Sequence, residues 1–396
     1  MQLLEGYVAL DLTDLRGQLC GKLLRDLGMT VIKVEPPAGD PVRRLGPFAG
    51  DAPGLERSLR FAWLNAGKQS LTLDLTRPAG RDLLLRLVEQ ADVLLESSDP
   101  GTLDALGLGP AALHARNPRL VVTSLSGFGQ DGPYRDYRCP DIVGFATGGL
   151  MYVSGSPDRP PVKGPETQAN YYGSLYAALG TLLALWHRDT AAAPGCHVDV
   201  AVQETIASQE HLIRAFGFDG HSTGRYGSQH ATVAPANIFP TQDGYVYLFV
   251  SRPHWRLFLD AWEDHPPELD DPKWLPNHVR RAHADWLNEQ VAQFTRRFTK
   301  AECARLLQSR GVPCLPVNAP SEFARDEQVQ YRGLFQPTTH PALGPYAQPA
   351  FPALLDGTRV PVAPPPLLGE HTVAILRERL GLSPAEIDLL FAEGTI

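Results

Sequence analysis

The chain has 396 residues, 43% hydrophobic and 20% charged, which supplies a large core and excludes disordered, collagen-like and coiled-coil classes. Its formal charge is −8, from 36 basic and 44 acidic residues, and the absence of a long basic run argues against a nucleic-acid partner. Cys20, Cys139, Cys196, Cys303 and Cys314 are far apart and never form Cys-x-x-Cys, so a reduced, cytoplasmic chain without a structural zinc or other metal site is expected.

Tyr7–Leu12 is β-prone and leads into an amphipathic stretch with Leu19, Leu23, Leu24 and Leu27 on one face and Gly28 at its end. Strand Thr30–Glu35 follows. The alternation continues with strand Ser70–Leu75, helix Ala79–Gln90, strand Asp92–Glu96, helix Pro110–Arg116 and strand Leu120–Ser124. Such alternation predicts βαβ units and a Rossmann-like parallel sheet covered on both faces.

An apolar helix is expected over 174–187; its longest apolar run, Leu175 to Trp186, falls short of the ~20 residues of a membrane span and implies a buried core helix. Strand His197–Val200 and a helical stretch from Gln203 to about Phe216 come next, then a polar connector over 217–242. Beyond it a smaller α/β unit is expected, with strand Tyr245–Val250, helices near 254–263, 283–298 and 300–310, and strand Cys314–Val317. The tail is Pro-rich from 341 to 366 and ends in two helices, the last opened by the capping box Ser383-Pro384-Ala385-Glu386.

Several local patterns have plain readings. Gly220-His221-Ser222-Thr223-Gly224 matches Gly-x-Ser-x-Gly, but a nucleophile elbow needs a strand before it and a helix after it. Gly17 and Gly21 lack the spacing of a dinucleotide fingerprint and suit close packing of a helix on the sheet. His211, His221 and His230 lack metal-ligand spacing, and Arg43-Arg44 and Arg280-Arg281 read as surface charge.

Other blocks carry a resemblance. Leu10-Asp11-Leu12-Thr13, Val31-Ile32-Lys33-Val34-Glu35-Pro36-Pro37 with Gly39-Asp40-Pro41, Asn65-x-x-Lys68-x-Ser70, Pro100-Gly101-x-Leu103, Ser126-Gly127-Phe128-Gly129 and Leu368-Gly369-Glu370-His371-Thr372 resemble the family III CoA-transferases. These form one superfamily with formyl-CoA transferase, carnitine CoA-transferase and α-methylacyl-CoA racemase. The resemblance implies an intertwined dimer, with a large Rossmann-like domain of 1–200 and 330–396, a linker over 201–224 and a small α/β domain of 225–329, coenzyme A or acyl-CoA as substrate and a carboxylic acid as acceptor. In that family an aspartate before the apolar helix attacks the thioester, which is covalent catalysis by a carboxylate.

The matching segment here is Gln168-Ala169-Asn170-Tyr171-Tyr172, with Asn170 at the nucleophile position. A neutral amide has no anionic oxygen for that attack. The resemblance places Arg16, Leu73, Thr76, Ser97, Ser98, Leu106, Arg138 and Asp141 around the CoA. Ser97-Ser98 and Ala105 stand where relatives commonly carry Asn-Phe and Arg, which weakens the nucleotide contacts. The expected function is therefore the non-catalytic subunit of a heteromeric CoA-transferase, partnered by a homologous subunit or by itself. The alternatives are an active transferase with a displaced nucleophile such as Glu166, an engineered Asp-to-Asn form and, last, an acyl-CoA racemase, whose histidine position is Pro140.

Overall fold

Six parallel strands frame the larger part of the molecule: β1 (Val8–Leu12), β2 (Thr30–Glu35), β3 (Gln69–Thr72), β4 (Val93–Glu96), β5 (Val121–Ser126) and β6 (His197–Ala201), in the order β3-β2-β1-β4-β5-β6. The computed structural model describes residues 2–209 and 224–396. Its described residues divide into two units, one of 2–151, 163–209 and 328–396, the other of 152–162 and 224–327.

Side chains alternate across a strand, so the sheet feeds two cores. Leu10, Ile32, Leu94 and Val122 point to one face, with Leu83, Leu84 and Leu87 of helix Pro78–Val88 and Ile375 and Ile387 of the tail helices. Ala9, Val31, Val93 and Val121 point to the other, with Leu24 of α1 (Gln18–Asp26), Phe145 of α6 (Asp141–Thr147) and Ala177 of α7 (Gln168–Thr190). A Cβ added at Gly21 would lie 2.4 Å from Asp11 Oδ2, so α1 does rest closely on β1.

Helix α7 departs from expectation twice. It begins at Gln168, so Asn170 sits inside its first turn and not before it. Its packing face consists of small residues, Ala169, Gly173, Ser174, Ala177 and Ala178, whereas Leu175, Leu179, Leu183 and Trp186 are 49–66% exposed. The apolar run is thus not a wholly buried core helix. No helix among the described residues is long and apolar enough to cross a membrane.

The second unit carries an antiparallel sheet, β7 (Ala236–Thr241), β8 (Gly244–Phe249) and β9 (Cys314–Pro316), in that order. β7 falls inside the expected connector; it is an edge strand, where Pro240 is tolerated. The Pro-rich tail likewise holds a hairpin, Phe335–His340 with Gly344–Pro349. The stretch 201–224 opens with α8 (Val202–Ala207), which ends in a turn at Ser208; positions 210–216 of the expected helix, with His211, His221 and the serine of the Gly-x-Ser-x-Gly match, lie outside the described residues.

Arg43 and Arg280 are not surface charges. Each is fully buried. Arg43 donates to Glu35 at 2.7 and 2.9 Å, to Glu56 at 2.8 Å and to the Pro366 carbonyl at 3.2 Å, with its guanidinium 3.8 Å from the Phe61 ring centre. Arg280 donates to the carbonyls of Ala234, Trp274 and Leu275 at 2.6–2.7 Å, over the Trp255 ring, and burial pulls its pKa down to about 10.

The Arg43 cluster continues into a buried network. Lys68 Nζ reaches Asp11 at 2.7 Å and Asn65 at 2.9 Å, Lys33 reaches Asp40 at 2.9 Å, and Gln18 bridges Asp40 and Asn65 at 3.0 Å each. Ser70 Oγ donates to Glu35 at 2.7 Å and accepts from Gly369 N–H at 2.8 Å. Burial pushes the Asp11 carboxyl up, but Lys68 and Lys33 outweigh it and hold it below the usual carboxylate range. Several of the sequence blocks that carry the resemblance therefore meet in this network.

Candidate functional site

In an open parallel sheet, ligands bind beyond the carboxyl ends of the strands where the strand order reverses, here between β1 and β4. Arg16 stands in the turn after β1. Its guanidinium donates to the Ser97 carbonyl at 3.2 Å, just beyond β4, and its carbonyl accepts from Ser174 of α7 at 2.8 Å. Ser97 Oγ donates to Asp14 Oδ1 at 2.7 Å and accepts the Asp14 N–H at 2.8 Å. The Ser98 N–H donates to Glu96 at 2.8 Å. Burial raises the Glu96 carboxyl above its usual range against the Ser124 and Ser98 hydrogen bonds and the charge of Arg16.

The second part of the site joins α6 and α7. Asp141, first residue of α6, accepts the Asn170 N–H at 2.9 Å, and its carboxylate satisfies the opening turn of α7, where the first backbone donors have no partner within the helix. Burial raises the Asp141 carboxyl, opposed by the Asn170 N–H and by Lys163. Asn170 is 7% exposed, and its Oδ1 has no hydrogen-bond partner among the described residues. The Tyr171 N–H donates to the Thr167 carbonyl at 3.1 Å. That peptide nitrogen is therefore engaged in the helix and not free to attack the Asn170 side chain, the step that begins spontaneous deamidation.

Arg16, Ser97, Ser98 and Asp141 with Asn170 thus gather about β1, β4 and the starts of α6 and α7, joined through Ser174. Arg138 is held by Asp99 in an ion pair; both are mostly exposed. Glu166 is exposed, with φ +52°, and its carboxylate is held by Arg60 at 3.1 Å. Leu73 and Thr76 follow β3, two strands away from β1. Leu73 is 2% exposed inside the core, and Leu106 packs against the same core. Thr76 donates to Asp74 at the surface. Asp14, Asp99 and Ser174 were not singled out from the sequence; Asp99 alone left a signal, as the residue before the Pro100-Gly101 turn.

Among the described residues no group of three or more His, Cys, Asp or Glu side chains is placed to hold a metal ion. A cleft of about 470 Å³, lined by Arg25, Thr30 and Gln69, opens at the opposite, amino ends of β2 and β3.

A parallel sheet whose order reverses between β1 and β4, with polar side chains gathered beyond the reversal, defines an open α/β protein. The family model for CoA-transferase family III matches residues 4–372, and the chain belongs to that family. It is 34% identical over 392 residues to succinyl-CoA–D-citramalate CoA-transferase of Chloroflexus aurantiacus, covering 96% of this chain and 95% of the relative. It is 32% identical over 403 residues to succinyl-CoA:(R)-benzylsuccinate CoA-transferase subunit BbsE of Thauera aromatica, covering 98% and 97%. Among solved structures, a CaiB/BaiF family protein from Brucella suis superposes with a TM-score of 0.84 at 30% identity, covering 95% of this chain and 98% of that one.

Proposed function

We propose that this chain binds the CoA thioester of a carboxylic acid as the non-catalytic subunit of a heteromeric CoA-transferase. The observation that carries the reading is Asn170, buried in the first turn of α7 against Asp141, where the family resemblance puts an aspartate. An amide there can accept a hydrogen bond but cannot form the acyl anhydride, and the engaged Tyr171 N–H supports its persistence as an amide. Glu166 makes a poor substitute: exposed and neutralised by Arg60, it is held as a solvated ion pair, not as a desolvated nucleophile. One relative is itself named as a subunit, which supports a heteromer. Arg16 and Arg138 would serve as the cations for the CoA phosphates; the contact of Arg16 with the Ser97 carbonyl beyond β4 supports this for Arg16.

The exposed stripe Leu175, Leu179, Leu183 and Trp186 on α7 supports assembly, because a monomer rarely leaves so long an apolar row in water. The assembly is the intertwined dimer of the family, with a homologous chain as partner. Affinity purification from the native host tests this. A homologue carrying the aspartate should co-purify, and the pair should transfer CoA while this chain alone does not. Transfer by this chain alone, surviving Glu166→Gln, would overturn the reading.

A further inference from the structure

The cleft of about 470 Å³ beside Arg25 has the size of a small-molecule pocket. It opens at the amino ends of β2 and β3, whereas Arg16 and Ser97 lie beyond the carboxyl ends of the parallel strands, so it is a separate place in the fold.

Arg25 stands in the last turn of α1 and is built into the cleft wall. Its Nε–H donates to the Gly67 carbonyl at 3.1 Å, and its guanidinium fills the space where a side chain at 67 would begin: a Cβ there would lie 2.1–2.5 Å from Nε, Cζ and Nη2. Gly67, at φ +72°, therefore both turns the chain and leaves room for the cation. The backbone, not another side chain, sets where this guanidinium sits.

Its two terminal nitrogens are left over. Neither makes a hydrogen bond among the described residues, and the side chain keeps 22% of its surface exposed, so a solute in the cleft can reach them. Asp26 Oδ1 stands 3.8 Å from Nη1, beyond hydrogen-bond distance, and that carboxylate is buried in an ion pair with Lys22. The remaining cleft residues, among them Thr30, Gln69, Val360 and Pro361, are neutral. Arg25 is thus the uncompensated charge of the cleft.

A guanidinium with both terminal nitrogens free takes a carboxylate through two parallel N–H···O bonds. A single positive charge balances a monoanion. A phosphate, nearer a dianion at neutral pH, would be left under-neutralised close to Asp26, and a second carboxylate on the ligand would meet no cation.

We infer that this cleft binds a small monocarboxylic acid with an otherwise neutral body, its carboxylate bridging the two terminal nitrogens of Arg25. Calorimetry on the full chain with butyrate, its neutral isostere butyramide and inorganic phosphate tests this. Butyrate should bind saturably, with butyramide and phosphate each about tenfold weaker or more. It should shift the Gly67 amide signal in 15N-glycine spectra, and excess CoA should not displace it. Arg25→Met should abolish the heat. Arg25→Lys keeps the charge without the fork and should retain part of it, which separates a lost ligand contact from a misfolded chain. Butyramide or phosphate binding as tightly as butyrate, binding unaltered by Arg25→Met, a heat no greater in Arg25→Lys than in Arg25→Met, an unmoved Gly67 signal, displacement by CoA, or no saturable heat with butyrate would overturn the assignment.

Discussion

Replacing Arg43 by Met keeps an apolar stem against Phe61 while removing the charge that holds Glu35. Deleting one partner of a buried ion pair costs about 3–5 kcal/mol, because the other charge stays buried. Ser70 Oγ at 2.7 Å and the Asp40 N–H at 3.1 Å still reach Glu35, so the lower end, about 3 kcal/mol, is expected here. The loss should also depend on pH. Burial pushes the Glu35 carboxyl up, but Arg43 and Lys33 outweigh it and hold it below the ordinary carboxylate range. In the unaltered protein its contribution is therefore complete above the unfolded pKa and fades as pH falls through the folded one. Without Arg43 the carboxyl should rise, because burial is then opposed only by Lys33 and the remaining hydrogen bonds. The ionised group then destabilises the fold at neutral pH, and acidification relieves the penalty. The gap between the two proteins should be widest near pH 7 and narrower at about pH 5. Guanidinium denaturation followed by circular dichroism at both pH values measures it, with Glu35→Gln added to the Arg43 variant expected to recover much of the loss. A gap below about 1 kcal/mol, or one that does not change with pH, would refute the account of Arg43 as a buried counter-charge.

Asn170→Asp alone should give neither a covalent CoA adduct by mass spectrometry after acyl-CoA treatment nor, when hydroxylamine is then added, the aspartyl hydroxamate left as CoA departs, since attack needs a tightly held thioester as well as a nucleophile; either product would show that only one side chain was lost. Leu183→Glu places a charge in the exposed α7 stripe and should lower the mass seen by light scattering to that of a single chain, whereas an unchanged mass removes α7 from the interface. Gly21→Ala puts a methyl group against Asp11 and should cost about 1–3 kcal/mol in denaturation, with near-neutral behaviour disproving tight packing of α1 on β1.

The parallel sheet was legible because its strands are short apolar runs at regular spacing with helices between them. What escaped is contact between distant residues. Arginine is usually exposed, so nothing in Pro41-Val42-Arg43-Arg44 announces a side chain buried against Glu35, Glu56 and Pro366. The Asp141 bond to Asn170 spans 29 positions, and the start of α7 is hidden because Gln168 to Tyr172 lacks an apolar period. β7 was concealed by Pro240, which reads as a breaker unless the strand is known to lie at an edge. The site's residue types were legible through the resemblance, while their pairing with Asp14, Asp99, Arg60 and Ser174 required three dimensions.

The union of β3 with the tail bears on how the chain is made. Thr72 bonds Thr372, the Asp74 N–H donates to the Thr395 carbonyl at 2.7 Å, and Ser70 receives Gly369, so one edge of the sheet is completed by residues about 300 positions later. A ribosome adding about 5–20 residues per second exposes that edge for some tens of seconds before its cover emerges. During that interval the Arg43 and Glu35 cluster lacks its Pro366 contact, and the apolar face that receives Ile375 and Ile387 is open to water. Nascent chains of this protein should therefore need protection from aggregation until synthesis ends, and removal of the last 30 residues should leave the product insoluble rather than partly folded.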